Sequence, residues 1–193
     1  MDDEENIKKL EVEITRLRKL VYYDELTGLL NRRGFAEEAE REFALISRAN
    51  GPAEKRTGFV IPFCIIFFDL DNFKKLNDQY GHEAGDEALK LSAKILHGKL
   101  RTGDLAGRWG GEEFTVALIG ANAERGRVVA EKLRKTFAET GLEYKGQKIE
   151  VTGSFGVAEY KNHPSLGDLI NDADRAMYTA KESGRNKVVV LGQ

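Results

Sequence analysis

The first apolar rhythm in the chain falls on Ile7, Leu10, Ile14, Leu17 and Val21, spaced alternately three and four residues apart. That is a heptad seam, with β-branched residues at one set of core positions and leucine at the other, a choice that favours a parallel two-stranded coil. In this register Glu13 and Arg18 take the flanking positions at which charges pair across a dimer. The alternative is one amphipathic helix packed on its own domain. The pattern therefore divides the chain into a stalk over residues 1–23 and a globular domain over residues 24–193.

Beyond the stalk, Gly28 reads as a helix stop and Asn31 as the N-cap of a helix over residues 32–47. The polar stretch at 49–58 is a loop to which no function is attached. The run "FVIPFCIIFFDL" predicts a buried strand, with Pro62 near its beginning, where a missing donor is tolerated; it ends in Asp69 and Asp71. "EAGDEALKLSAKILHGKL" reads as a helix with Leu89, Ile95 and Leu96 inward. Glycines 110 and 111, set between short extended runs, predict a hairpin whose second strand is "EEFTVALI". Val129, Leu133 and Phe137 fall four apart on another helix. "KIEVTGSFGVAEY" reads as one strand, in which Gly153 marks a bulge or close packing. Leu166, Leu169, Ile170, Ala173, Ala176, Met177 and Ala180 form a helical stripe, and "NKVVVL" closes the chain as a strand. This order predicts an α/β fold with a mixed central sheet flanked by helices rather than strict β-α alternation.

Composition narrows the function classes. With 193 residues, 41% hydrophobic and 32% charged, the chain has the make-up of an ordinary soluble domain. A net charge of −2 argues against a protein that coats nucleic acid, which needs a basic surface. The acidic start leads into no apolar block, so no signal peptide and no membrane contact are expected. The lone Cys64 excludes a disulfide framework and suits a reducing, cytoplasmic setting. His82, His97 and His163 show no metal-ligand spacing.

The acids carry the chemistry. Asp69 lies at the C-terminal end of one predicted strand, and Glu112 and Glu113 stand at the start of another. If these strands are antiparallel neighbours, the three carboxylates converge, repel one another and gain protons more readily. A hard divalent cation removes the conflict, and oxygen-only ligation suits Mg²⁺, which combines a few carboxylates with substrate phosphates. Side-chain-free Gly110 and Gly111 would then let a bulky ligand approach the backbone. Taken alone, the Gly-Gly-Glu-Glu turn would be a charged tip facing solvent.

Five segments in order, "DELTGLLNRRGF", "FFDLDNFKKLND", "GHEAGDEAL", "RWGGEEF" and "AKESGRNKV", together resemble the GGDEF family of diguanylate cyclases across residues 24–190. The resemblance implies a nucleotidyltransferase that makes cyclic di-GMP from two GTP molecules. It implies two Mg²⁺ per active site, with Mn²⁺ as the alternative metal. Asp69, the Leu70 carbonyl, Glu112 and Glu113 would hold them, with Glu112 and Glu113 as the catalytic carboxylates and Glu112 in the proton-accepting role. It assigns the backbone N–H groups of Asn72, Phe73 and Lys74 to the β- and γ-phosphates, with Lys181 and Arg185 as phosphate-contacting cations. The latter pair would otherwise be helix C-terminal cations complementing a dipole. Asn77 and Asp86 match the guanine-reading pair; apart from the motif, Asp86 is a helix N-terminal acid and Asn77 a loop residue. Arg101, Asp104 and Arg108 match an inhibitory site for the product, and would otherwise form a surface salt bridge. One residue departs from the family pattern, glutamate replacing aspartate at Glu112.

Each domain would hold half an active site, so the stalk is expected to supply a homodimer, and a sensor domain is expected upstream. The competing readings are a catalytically silent module that binds GTP or cyclic di-GMP, and a structural dimerisation domain.

Overall fold

The computed structural model describes residues 2–50 and 60–192, with side chains from residue 5 onward. The polar loop at 49–58 lies outside the described residues from position 51 on. Helix α1 (Asp2–Tyr22) leads to β1 (Leu30–Asn31), α2 (Arg32–Ala49) and β2 (Phe63–Leu70). Then come α3 (Phe73–Tyr80), α4 (His82–Lys99), the hairpin β3 (Leu105–Gly110) and β4 (Glu113–Ile119), and α5 (Ala123–Thr140). A small hairpin, β5 (Leu142–Tyr144) and β6 (Gln147–Ile149), precedes β7 (Gly153–Glu159), α6 (Leu166–Glu182) and β8 (Val188–Val190).

Six strands form one sheet in the order β1-β3-β4-β2-β7-β8. The apolar strand β2 lies antiparallel to both β4 and β7, whereas the edge pairs β1–β3 and β7–β8 are parallel. The sheet is thus mixed, as the element order predicted. Period-two alternation divides the core between its faces. Cys64, Ile66, Phe68 and Leu70 join Phe114, Val116, Phe155 and Val157 beneath α4 and α5. Phe63, Ile65, Phe67, Ala117 and Ala158 face α2 and α6. On the first side Phe68 stacks between Phe114 and Phe155, at centroid distances of 5.1 and 4.7 Å.

Where α6 crosses β7 the backbones nearly touch. A Cβ at Gly156 would lie 2.0 Å from the Ala173 carbonyl oxygen, so only glycine lets this helix come so near. Ser154 and Ala158, two residues to either side, keep the rest of that strip small.

Several expectations need correction. Gly28 stops no helix, since α1 already ends at Tyr22; at φ 70° it closes a turn by donating its N–H to the Asp24 carbonyl. "KIEVTGSFGVAEY" is two strands separated at residues 150–152, with β6 folded back on β5. Gly153 opens β7, and a Cβ there would meet the Phe155 ring at 3.1 Å, which is close packing. The segment after Asp71, to which the sequence assigned backbone N–H groups and no helix, forms a separate helix, α3. Asn31 caps α2 as expected, accepting from Gly34 N–H at 2.9 Å.

The stalk's apolar seam does not pack on its own domain. Ile7, Leu10, Ile14, Leu17 and Val21 are 40–63% exposed. Among the described residues no helix is long and apolar enough to cross a membrane.

Candidate active site

Asp69 continues the series Phe63, Ile65, Phe67 onto the face covered by α6, and in the register of β2 with β4 it stands directly opposite Glu113. Directly opposed residues in an antiparallel pair project from the same face. The Leu70 N–H donates to the Glu112 carbonyl at 3.3 Å, which ties the hairpin mouth to the end of β2. The predicted convergence of strand ends therefore holds. It depends on a two-residue turn in which Gly111 sits at φ 43°, and on a register shift at Trp109 just before it.

Asp69 is 5% exposed, and burial pushes its carboxyl up to about 6. Glu112 and Glu113 push the same way, while the Lys181 ammonium, 2.8 Å from Oδ2, opposes them. The Glu113 carboxyl is also raised, first by burial and then by Asp174 on α6. Among the described residues no three His, Cys, Asp or Glu side chains form a ready-made metal cage. Yet the donors at this mouth are all hard oxygens, and a buried carboxylate is already matched by a cation. Such a set fits Mg²⁺ in the manner of sites that share the ion with substrate phosphates.

Around the acids, α3 and α4 form a tight helical pair joined at Gly81, φ 89°. Asn77 of α3 abuts Gly85 of α4 so closely that a Cβ at Gly85 would fall 2.0 Å from Asn77 Oδ1. That oxygen is buried with no hydrogen-bond partner, which leaves an acceptor in need of a donor. Asp86 follows Gly85 and is exposed. Asn72 adopts the left-handed conformation as the N-cap of α3, so Phe73 and Lys74 begin a helix whose first N–H groups lack intrahelical partners. Arg185 is exposed and, with Asn72 and Lys75, lines a polar cleft of about 550 Å³.

The remaining expected group is split. Arg101 and Asp104 are together, the Arg101 N–H donating to Asp104 Oδ2 at 3.1 Å. Arg108 is engaged elsewhere. Its Nη1 pairs with Asp24 at 3.1 Å and its Nε donates to the Gly111 carbonyl at 2.9 Å. Burial alone would raise the Asp24 carboxyl, but the Thr27 hydrogen bonds and Arg108 outweigh it and hold it below the ordinary range. Arg108 thus connects the turn after the stalk to the Gly-Gly-Glu-Glu turn.

Sequence reasoning missed three supports. Asp71 accepts from the Ser154 and Thr152 hydroxyls at 2.6 and 2.8 Å and from the Asn186 N–H at 3.0 Å. Its place next to Asp69 was visible, but its partners lie more than eighty residues away. Asp24 and Asp174 gave no signal of their own.

A mixed sheet with opposed acids at the end of its central strand and a glycine turn beside them defines a nucleotidyl cyclase-like α/β domain. The chain belongs to the GGDEF diguanylate cyclase family: the family model for "Diguanylate cyclase, GGDEF domain" matches residues 21–187. It is 34% identical over 97% of its length to the diguanylate cyclase DgcP of Pseudomonas aeruginosa, of which it spans 26%. It likewise spans under half of the other curated relatives at similar identity. Among solved structures, the coiled coil and GGDEF domain of DgcB from Caulobacter crescentus, in complex with c-di-GMP, superposes with a TM-score of 0.85. That match has 27% identity and covers 98% of this chain and 95% of the other. The active GGEEF domain of a Vibrio cholerae diguanylate cyclase gives 0.73 at 34% identity, covering 86% and 99%. The second relative carries glutamate in its motif, the residue by which Glu112 departs from the family pattern.

Proposed function

We propose that the chain is a diguanylate cyclase that condenses two GTP molecules into cyclic di-GMP. In each half-reaction a 3′-hydroxyl oxygen bonds to the α-phosphorus of the other nucleotide, the bond to pyrophosphate breaks, and the hydroxyl proton passes to the Glu112 carboxylate. The observation that carries this reading is the pairing of Asp69 with Glu113 across two antiparallel strands, with Glu112 held beside them.

Asp69, the Leu70 carbonyl, Glu112 and Glu113 are the groups to hold Mg²⁺, two ions per site, or Mn²⁺ in their place. Bound there, the metal supplies charge neutralisation of the triphosphate and activation of the attacking hydroxyl. Lys181 and Arg185, with the N–H groups of Asn72, Phe73 and Lys74, hold the phosphates. Asn77 and Asp86 read guanine: its N1–H and amine are donors, and both side chains offer acceptors. Adenine presents a lone pair at N1 and leaves Asp86 facing it, a mismatch that rejects strongly. Gly110 and Gly111 keep the approach open. Positioning and electrostatics thus carry most of the catalysis, as in other phosphoryl transfers.

The exposed heptad seam supports a homodimer that brings two half-sites face to face, under an upstream sensor domain. Arg101 and Asp104, with Arg108 nearby in sequence, are assigned to inhibitory cyclic di-GMP; DgcB, the coiled-coil relative, was solved with that molecule. All three acids are present, so a silent binding module is not favoured. Incubation with GTP and Mg²⁺ followed by nucleotide chromatography tests the reading. A cyclic dinucleotide and pyrophosphate are expected, and unchanged GTP at high protein concentration would refute it.

A further inference from the structure

Three consecutive residues after α6, Gly184, Arg185 and Asn186, stand at φ 111°, 60° and 44°. Left-handed backbone is easy for glycine but crowds the Cβ of arginine and asparagine against the following carbonyl. Such a turn persists only where its surroundings over-determine it. Local sequence explains two bonds, from the Gly184 N–H to the Lys181 carbonyl at 3.4 Å and from the Arg185 N–H to the Ala180 carbonyl at 3.0 Å. The others come from distant elements. Asp71 accepts the Asn186 N–H, and its own carboxylate is fixed by two hydroxyls of the β7 approach. From α5, Arg134 donates through Nη1 to both the Asn186 carbonyl, at 3.4 Å, and its Oδ1, at 3.0 Å. The Arg134 side chain is 19% exposed, and its Nε is occupied by Glu131 at 2.9 Å, so the fork has one orientation. The Arg185 side chain has no partner among the described residues and lines the cleft beside Asn72.

We propose that Arg134 is a positioning residue for the triphosphate: it locks the left-handed turn at Asn186 and so directs the Arg185 guanidinium toward the phosphates. This rests on the reading of the site as a GTP site. Arg134 touches no substrate in this arrangement. Its removal lets the turn relax, and Arg185 then samples orientations that miss the phosphates. The loss should therefore appear in phosphate recognition and spare guanine recognition.

The test compares binding of 3′-deoxy-GTP, which cannot condense, with binding of guanosine, both followed by NMR titration in Mg²⁺. The proteins are the unaltered chain, R134A, N186A, R185A and the double variant R134A/R185A. R134A is expected to weaken 3′-deoxy-GTP about tenfold, the loss of one to two partly buried hydrogen bonds. It should leave guanosine unchanged and add nothing to the effect of R185A. N186A removes the side-chain acceptor and a residue better suited than alanine to φ 44°, but keeps the carbonyl contact of Arg134, and should weaken the triphosphate in the same direction. The proposal is overturned if R134A binds both ligands normally, weakens both equally, or adds its full effect to that of R185A. Should R134A not fold, the N186A comparison decides by the same criteria. If R185A itself leaves 3′-deoxy-GTP binding unchanged, the inference falls with the phosphate role of Arg185; if the unaltered chain binds no 3′-deoxy-GTP, the GTP-site reading falls as well. An effect of R185A without one from R134A or N186A sinks the inference alone.

Discussion

The Asp69 carboxyl ends a strand whose preceding side chains are all apolar and buried, and burial, more than its acidic neighbours, lifts it to about 6. In the unfolded chain the same group ionises near 3.8. The folded state thus holds a proton that the unfolded state has already released, and stability falls as pH rises between these values. In metal-free buffer, denaturant unfolding should show a loss of about 2 kcal/mol between pH 4 and 6.5 that Asp69→Asn lacks. A parallel pH dependence in the two proteins would refute this. Added Mg²⁺ favours the ionised form and should flatten the slope in the unaltered chain. The acid was legible in the sequence because it interrupts an apolar run where a strand must end. Lys181 at its side was legible only through the family motif, since spacing alone allowed it to be a helix-terminal cation. The contact requires α6 to lie on the same face of the sheet as Asp69, a fact of parity that becomes visible only when the register is known.

Among the elements, the junction of α1 and α2 depends on one side chain used at both ends. Asn31 accepts from Gly34 N–H to cap α2, and its amide donates to the Val21 carbonyl at 2.9 Å, which closes the last turn of α1. Gly34 lets the two helices meet, because a Cβ there would lie 2.2 Å from the Tyr22 oxygen. Asn31→Ala removes both bonds and should cost about 2 kcal/mol, the upper end for a cap, measured by chemical unfolding. Asn31→Asp keeps the N-cap but not the amide donor, and should cost about half as much. Long elements with a clean period, such as α5 and α6, could be read directly from the chain. The small pieces could not. Helix α3 has no buried residue of its own, and β5 and β6 are three residues each, so neither yields enough apolar repeats to set a period. The break between β6 and β7 was hidden because Ile149, Val151 and Gly153 alternate straight through it.

At the level of the whole molecule, the stalk's exposed seam and the acid site lie on one continuous path: α1, the Asp24 turn, Arg108 and the Gly111 carbonyl. Face-to-face assembly of two such chains raises the effective concentration of one half-site at the other. One residue inserted between Leu17 and Val21 turns the seam by about 100° relative to the domain. Turnover should fall roughly a hundredfold while affinity for GTP stays the same, as read by steady-state rates and titration with 3′-deoxy-GTP. Equal turnover would show that stalk phase does not matter. The seam itself was plain in the sequence; that it faces outward was not, because a helix packed on its own domain has the same stripe. The near contact at Gly156 bears on this path too. With no side chain between them, α6 and β7 form one packed slab, and β2 joins it through its pairing with β7, so Lys181 on α6 and Asp69 on β2 belong to the same unit. Any adjustment that brings two such chains into phase is therefore left to the thinner loops around the slab, above all the glycine hairpin that carries Glu112.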